Sequence, residues 1–171
     1  MKISIRTVIL CAVLVVGVAW PAAAQDVSFG YQFQRTSCCG HSNNFPMGFN
    51  VDGSAPIGGG ALSGIGQFDW SRRSDEGVTE NIAAFGGGIR CSRMSNPKVT
   101  PFVQVAVGGA RDSFDGSSRT DLGVQVGGGV AAPINAKISA VGQVDYRRAF
   151  KNGEDTNAIR FVGGIRVRLK K

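Results

Sequence analysis

The stretch Thr156 to Lys171 restricts the choice of fold more than any other, because apolar and basic side chains alternate along it residue by residue. Ile159, Phe161, Gly163, Ile165, Val167 and Leu169 take the odd positions, and Arg160, Gly164, Arg166 and Arg168 take even ones. A period of two is that of a β-strand with two unlike faces. In water the apolar row has to cover a core. In a bilayer it can face lipid while the arginines point into a polar interior.

The same alternation recurs along the chain. Val27, Phe29, Tyr31 and Phe33 alternate with Ser28, Gly30, Gln32 and Gln34, and after the polar stretch Thr36 to Asn44 a second row sets Phe45, Met47, Phe49 and Val51 against Pro46, Gly48, Asn50 and Asp52. Further strands are predicted over Ala61 to Trp70, where Ile65 breaks the pattern, Asn81 to Arg93, Lys98 to Arg111, where Phe102 sits on the wrong face, Leu122 to Val130, Ile138 to Arg147, and the closing stretch. That makes about eight strands of about 10 residues, the length an inclined strand needs to cross a bilayer. Ala55 to Gly60, Met94 to Pro97 and Pro133 to Ala136 read as short turns. The intervening polar segments, Ser71 to Glu80, Asp112 to Thr120 with its Asp115-Gly116, and Lys151 to Asn157, read as longer loops. Short turns at one end and longer loops at the other suit an outer-membrane barrel with its turns in the periplasm.

Residues 1–24 read as a secretory signal peptide: Lys2 and Arg6 precede the apolar run Val8 to Trp20, and Ala22-Ala23-Ala24 precedes Gln25. Residues 25–171 then form one domain, an all-β, eight-stranded antiparallel up-and-down transmembrane β-barrel. The formal charge is +7, of which Lys2 and Arg6 leave with the signal, and the remaining cations are scattered or alternate along strands. Without a basic patch interleaved with stacking aromatics, nucleic acid is not an expected partner. No stretch after Gln25 has the apolar length of a membrane helix. The 25 glycines lack the strict period of collagen and fall inside strand-patterned runs, where a crowded barrel interior needs them. With the first strand running upward from the periplasm, Phe33, Phe45, Trp70, Tyr146 and Phe161 fall near the loop end on the apolar face, as an aromatic girdle would.

Three motifs carry a family resemblance: Val99-Thr100-Pro101-Phe102-Val103, Gln143-Val144-Asp145-Tyr146-Arg147, and Gly163-Gly164-Ile165-Arg166-Val167-Arg168-Leu169. With them the chain resembles the small outer-membrane β-barrels of OmpA type over almost all of residues 25–171. The resemblance implies residence in the outer membrane of a Gram-negative-type envelope, contact with outer-membrane lipid, and assembly by the barrel assembly machinery. Family members end their last strand on an aromatic residue that this machinery recognises; here Leu169 stands in that place, followed by Lys170-Lys171. The peptidoglycan-binding domain of some members does not follow, so cell-wall tethering is not implied.

If the apolar rows face lipid, Gln32, Gln34, Gln67, Asp69, Arg90, Gln104, Gln125, Gln143, Asp145, Arg147, Arg160, Arg166 and Arg168 point inward. An eight-stranded barrel is just wide enough for its own side chains, so this set forms a plug rather than a channel. With Asp69 and Asp145 as the inward carboxylates, the lumen is expected to be net positive. The expected function is a non-enzymatic membrane scaffold whose surface loops offer a site for a partner.

A catalytic centre is poorly supported, because the single histidine, His41, has Ser42 beside it but no orienting carboxylate nearby, Glu76, Glu80 and Asp112 being distant in sequence. An outer-membrane lipid hydrolase is therefore the weakest reading. No intact GxGxxG, P-loop or zinc spacing occurs, so no cofactor is expected, and Cys38, Cys39 and His41 are a thin soft-metal set on one loop. Cys38 and Cys39 lie at the opposite end of the barrel from Cys91, too far for a disulfide across the bilayer. The competing reading is a secreted soluble barrel that holds a small apolar ligand, as lipocalin-like barrels do. It reverses the faces: Phe29, Val103, Val124 and Ile165 would point inward, with Gln32, Gln104, Gln125 and Arg166 in water.

Overall fold

A computed structural model describes residues 25–38, 41–58, 61–75, 78–93, 98–114, 117–150 and 155–169. Residues 1–24, expected as a signal peptide, Cys39, the expected turn Met94 to Pro97, Asp115-Gly116, Glu76 and Lys170-Lys171 lie outside them. The described chain is all strand: β1 (Asp26–Cys38), β2 (His41–Phe45), β3 (Met47–Pro56), β4 (Leu62–Asp75), β5 (Val78–Ser92), β6 (Thr100–Phe114), β7 (Ser117–Pro133), β8 (Ile138–Phe150) and β9 (Thr156–Arg168). β1 pairs antiparallel with both β2 and β3, each strand from β3 to β8 pairs antiparallel with the next, and β1 pairs with β9 from Asp26↔Arg168 to Ser37↔Asn157, which closes the sheet into a barrel. β2 and β3 together make one stave beside β1, interrupted at Pro46, so the closed barrel has eight staves.

That interruption is a register change. Tyr31 pairs with Phe49 but Gln34 pairs with Phe45, so Gln32 and Phe33 stand opposite three residues, Pro46, Met47 and Gly48. One extra residue is a β-bulge, and a one-residue slip moves every side chain beyond it to the other face. Phe45 therefore lies on the face of Gln34 and is wholly buried, not on the outer girdle where unbroken alternation puts it.

The polar segments expected as loops are largely strand. Arg72↔Asn81 to Asp75↔Val78 extend the β4–β5 hairpin, Asp112↔Arg119 to Phe114↔Ser117 extend β6–β7, and Thr36↔Asn43 to Cys38↔His41 extend β1–β2. A membrane crossing uses about 9–11 residues of a strand, whereas β1 has 13 and β7 has 17. Where a strand leaves the apolar zone both of its faces become polar, so the alternation fades while the hydrogen-bonded ladder continues. Ala55, Pro56 and Pro133 belong to strands, a turn occupies 134–137, and Gly58, just after β3, takes a positive φ (68°).

Apolar side chains face outward around the wall: Phe29, Tyr31, Phe85, Ile89, Val103, Val105, Val107, Val124, Val126, Phe161 and Ile165 are all exposed. The interior is mostly polar, and glycines let it close. A Cβ on Gly127 would lie 2.0 Å from Asp145 Oδ1 and 2.5 Å from the Val144 carbonyl oxygen, and one on Gly129 would lie 2.8 Å from the Phe102 ring. Gly127→Ala is accordingly expected to cost about 1–3 kcal/mol, read as a lower urea midpoint for the protein folded into lipid vesicles; an unchanged midpoint would show that both the carboxylate and the β8 backbone give way to the methyl.

Candidate functional site

Neighbouring strands aim their inward residues at one another, and the interior fills with a continuous polar network. Asp69 on β4 stands at its centre. Arg147 donates to it through Nη1 to Oδ1 (3.0 Å) and Nη2 to Oδ2 (2.6 Å), and Arg160 Nη1 donates to Oδ2 (2.8 Å). Arg160 also reaches Asp145 Oδ2 through Nη2 (2.6 Å) and Nε (3.1 Å). Asp145 accepts further from Gln104 Nε2 (3.0 Å) and Gln143 Nε2 (2.7 Å). Gln104 Oε1 in turn accepts from Arg90 Nε (3.0 Å) and Nη2 (2.8 Å), and Arg90 Nη1 ion-pairs with Asp52 Oδ1 at 3.0 Å. On the other side Gln125 Oε1 accepts from Arg147 Nη2 (2.8 Å) and Gln67 Nε2 (2.8 Å), while Gln32 Nε2 donates to Ser71 Oγ (2.7 Å).

The structure thus brings Gln32, Gln67, Asp69, Arg90, Gln104, Gln125, Gln143, Asp145, Arg147 and Arg160 into one network. Arg166 is half-buried at its turn-end margin, stacked on Phe102. Arg168 keeps the inward register but lies past the last turn, with its side chain 51% exposed and 3.6 Å from Asp26; it belongs to the rim. A strand's alternation gives the direction of a side chain but not its height.

The charge balance also differs from expectation. Asp52 is a third buried carboxylate in the network, so Asp52, Asp69 and Asp145 meet Arg90, Arg147 and Arg160 and the heart of the network is neutral. The surplus positive charge sits on Arg166. Asp52 was visible in the sequence, on the same alternating row as Asn50. Two residues that broke the alternation prove to be interior as well. Ile65 is wholly buried, and Phe102 is gripped between Arg90 (4.7 Å from ring centroid to guanidinium carbon) and Arg166 (5.0 Å), so that a ring face serves as a neutral partner for two cations.

On the outer wall Phe33 packs at a tilt against Phe161 (6.3 Å between ring centroids), Trp70 likewise against Phe49 (5.7 Å), and Tyr146 donates its hydroxyl to Asn157 Oδ1 (2.7 Å). An arginine follows two residues beyond three of them: Arg35 after Phe33, Arg72 after Trp70, Arg148 after Tyr146.

At the hairpin end a cup of about 120 Å³ opens beyond the polar network, lined among others by Gln34, His41, Glu80, Asp112, Asp121 and Thr156. Gln34 Oε1 and Thr156 Oγ1 are buried there without hydrogen-bond partners. Ser42 does not join His41: consecutive strand residues project to opposite faces, and Ser42 Oγ is hydrogen-bonded to Ser37 Oγ at 2.9 Å. Of the carboxylates that sequence distance made remote, Glu80 and Asp112 share this mouth with His41, because β5 begins and β6 finishes there; Glu76 lies outside the described residues. Cys91 is exposed on the outer wall near the turn end, opposite Leu62 of β4.

The sequence matches the family model described as outer membrane protein beta-barrel domain over residues 8–168. No curated protein matches it. Among solved structures the fold is similar to Neisserial surface protein A (15% identity, TM-score 0.74, covering 84% of this chain and 96% of that one). It is also similar to Ail, the attachment invasion locus protein of Yersinia pestis, in complex with the heparin analogue sucrose octasulfate (17%, 0.58, 82% and 96%). A further likeness is to the outer membrane protein OprG from Pseudomonas aeruginosa (9%, 0.56, 87% and 98%).

Proposed function

The chain belongs to the outer membrane protein β-barrel domain family, and from that premise we propose that it is a non-enzymatic scaffold of a Gram-negative-type outer membrane, with a plugged lumen and its polar hairpins turned outward. The observation that carries this reading is the inversion of polarity. Valines, isoleucines and aromatics cover the wall, while the buried residues of largest volume include Arg90, Arg160, Gln32, Gln34, Asp69 and Asp145. A water-soluble barrel with an apolar cavity needs the reverse.

The ion-paired network supports a closed lumen. Purified protein in planar bilayers is expected to give no steady ionic current; a reproducible open-channel conductance would refute the plug. The aromatics followed by Arg35, Arg72 and Arg148 support the hairpin end as the headgroup level of the outer leaflet, where guanidinium groups meet lipid phosphates. An epitope inserted between residues 115 and 116 should then bind antibody on intact cells, and one inserted after Gly58 should not. Insertion itself would rest on the barrel assembly machinery, as for the family at large.

A surface partner is supported by the cup over the plug. Its unpartnered polar atoms, Gln34 Oε1 and Thr156 Oγ1, suit a small ligand that donates hydrogen bonds. Separation of His41 from Ser42 on opposite strand faces argues against hydrolysis at this mouth.

A further inference from the structure

The turn end of the barrel holds a basic cavity that neither the plug nor the apolar wall uses. It measures about 180 Å³ and is lined among others by Asp26, Asn135, Lys137, Ser139, Arg166 and Arg168. In such a volume, where one water needs about 10–15 Å³, a phosphate group fits with several waters. The turn that carries Lys137 is braced: Asn135 Oδ1 accepts from the backbone N–H of Lys137 (2.9 Å) and of Ile138 (2.8 Å), and the Arg168 N–H donates to the Lys137 carbonyl (2.8 Å). The three cations are thus presented by a fixed turn and a paired strand.

Their charge is not balanced. Asp26 lies 3.6 Å from Arg168 and is the carboxylate of the lining. Arg166 has only neutral partners: Nε donates to Ser28 Oγ (3.1 Å), the guanidinium lies on the Phe102 ring, and Nη2 is buried with no hydrogen-bond partner. Among the described residues no carboxylate ion-pairs with Arg166, and the Lys137 ammonium has no side-chain partner. A guanidinium half-withdrawn from water beside Arg90, with Asp52 and Asp26 near it but neither in ion-pair contact, is costly, and an anion in the cavity lowers that cost. Planar guanidinium forks with an ammonium beside them are the donors that phosphate oxygens accept from most strongly. Because Asn135 Oδ1 is already engaged, the Asn135 amide adds donors rather than an acceptor to this lining.

We propose that this cavity binds a phosphate group, taken from free phosphate or from the headgroup of an anionic lipid in the leaflet at the turn end. Only the lipid source rests on the chain being membrane-embedded; the oxyanion chemistry stands without it. The test uses the full-length folded barrel in phosphate-free detergent micelles, titrated calorimetrically with inorganic phosphate, and the same protein in phosphatidylcholine nanodiscs with and without phosphatidylglycerol, read by native mass spectrometry. Saturable phosphate binding is expected, weakened about tenfold in Arg166→Gln and about fivefold in Lys137→Gln, as loss of a charge-assisted hydrogen bond implies. Arg119→Gln at the opposite end should leave it unchanged. Retention of phosphatidylglycerol alone, lost in the same variants, would assign the lipid source. Lys137 is exposed in a turn, so Lys137→Gln keeps the test valid should Arg166→Gln misfold, and heat-modifiable gel mobility checks the fold of each. Binding of neither probe, binding that both turn-end variants leave intact, or equal loss in Arg119→Gln overturns the proposal. The first of these leaves the barrel reading untouched, since heat-modifiability reports that separately.

Discussion

Replacing Asp69 with alanine is expected to destabilise the folded barrel by at least about 3–5 kcal/mol, the range for breaking a buried ion pair from one side. The expectation is at the high end because one carboxylate serves two guanidinium groups, Arg147 and Arg160, both held at 2.6–2.8 Å. Its loss leaves both cations in the interior with Asp145 and glutamine oxygens as their remaining acceptors. For domains whose whole stability is about 5–15 kcal/mol, that is enough to prevent folding in marginal lipid mixtures. The measurement is urea unfolding in vesicles followed by the fluorescence of Trp70, the one tryptophan after residue 24. Asp69→Asn isolates charge from shape, and Asp69→Ala combined with Arg147→Met should be milder than the sum of the two single variants, because each removes the other's unpaired charge. The exposed pair Arg148 and Asp155 (2.6 Å) is the internal control: Asp155→Asn should cost no more than about 1 kcal/mol. Equal effects at Asp69 and Asp155 would mean that the interior is wet and the network is not a plug.

Which parts of this interior could be read from sequence follows from what a period of two encodes. Alternation carries the facing of each side chain within an unbroken strand, and so Gln32, Asp69, Gln104, Gln125, Asp145 and Arg160 were legible without coordinates. It does not carry height along the barrel, which is why Arg168 shares the parity of Arg160 and yet sits at the rim. Nor does it survive an inserted residue. Phe45 and Phe49 have the same parity, but the bulge at Pro46 to Gly48 lies between them and sends Phe45 inward. The proline was the available signal, since a residue without an N–H is tolerated in a sheet only at edges and bulges. Phe102 and Ile65 break the pattern of an all-polar lumen, but a lumen holding four arginines gains from an aromatic face between two of them. The polar hairpins resemble loops in sequence because hydrophobic alternation reports burial on one side, and above a membrane there is none to report.

The polarity of the wall gives the second large effect, and two adjacent residues on β6 expose it. Val105 is 56% exposed and flanked by outward Val103 and Val107, with Ile89 and Val126 opposite it on the neighbouring strands. Val105→Arg is expected to destabilise the barrel in vesicles by about 2–4 kcal/mol, the cost of a cation on the lipid face near the midplane, while Ser37→Arg near the hairpin end should cost only about 0–1 kcal/mol. On a wall facing water both changes would fall within about 0.5 kcal/mol. One residue earlier the sense of the chemistry reverses. Gln104 is buried, and Gln104→Leu adds an apolar group yet withdraws an acceptor from Arg90 and a donor from Asp145. Leaving those two charged groups short of partners should cost about 1–3 kcal/mol for each. A charge added at residue 105 and a charge partner removed at 104 are therefore both destabilising, a combination that requires lipid outside and ion pairs within. Urea titrations of the two variants in the same vesicles decide it: a neutral Val105→Arg, or a stabilising Gln104→Leu, places the apolar face against something other than a membrane.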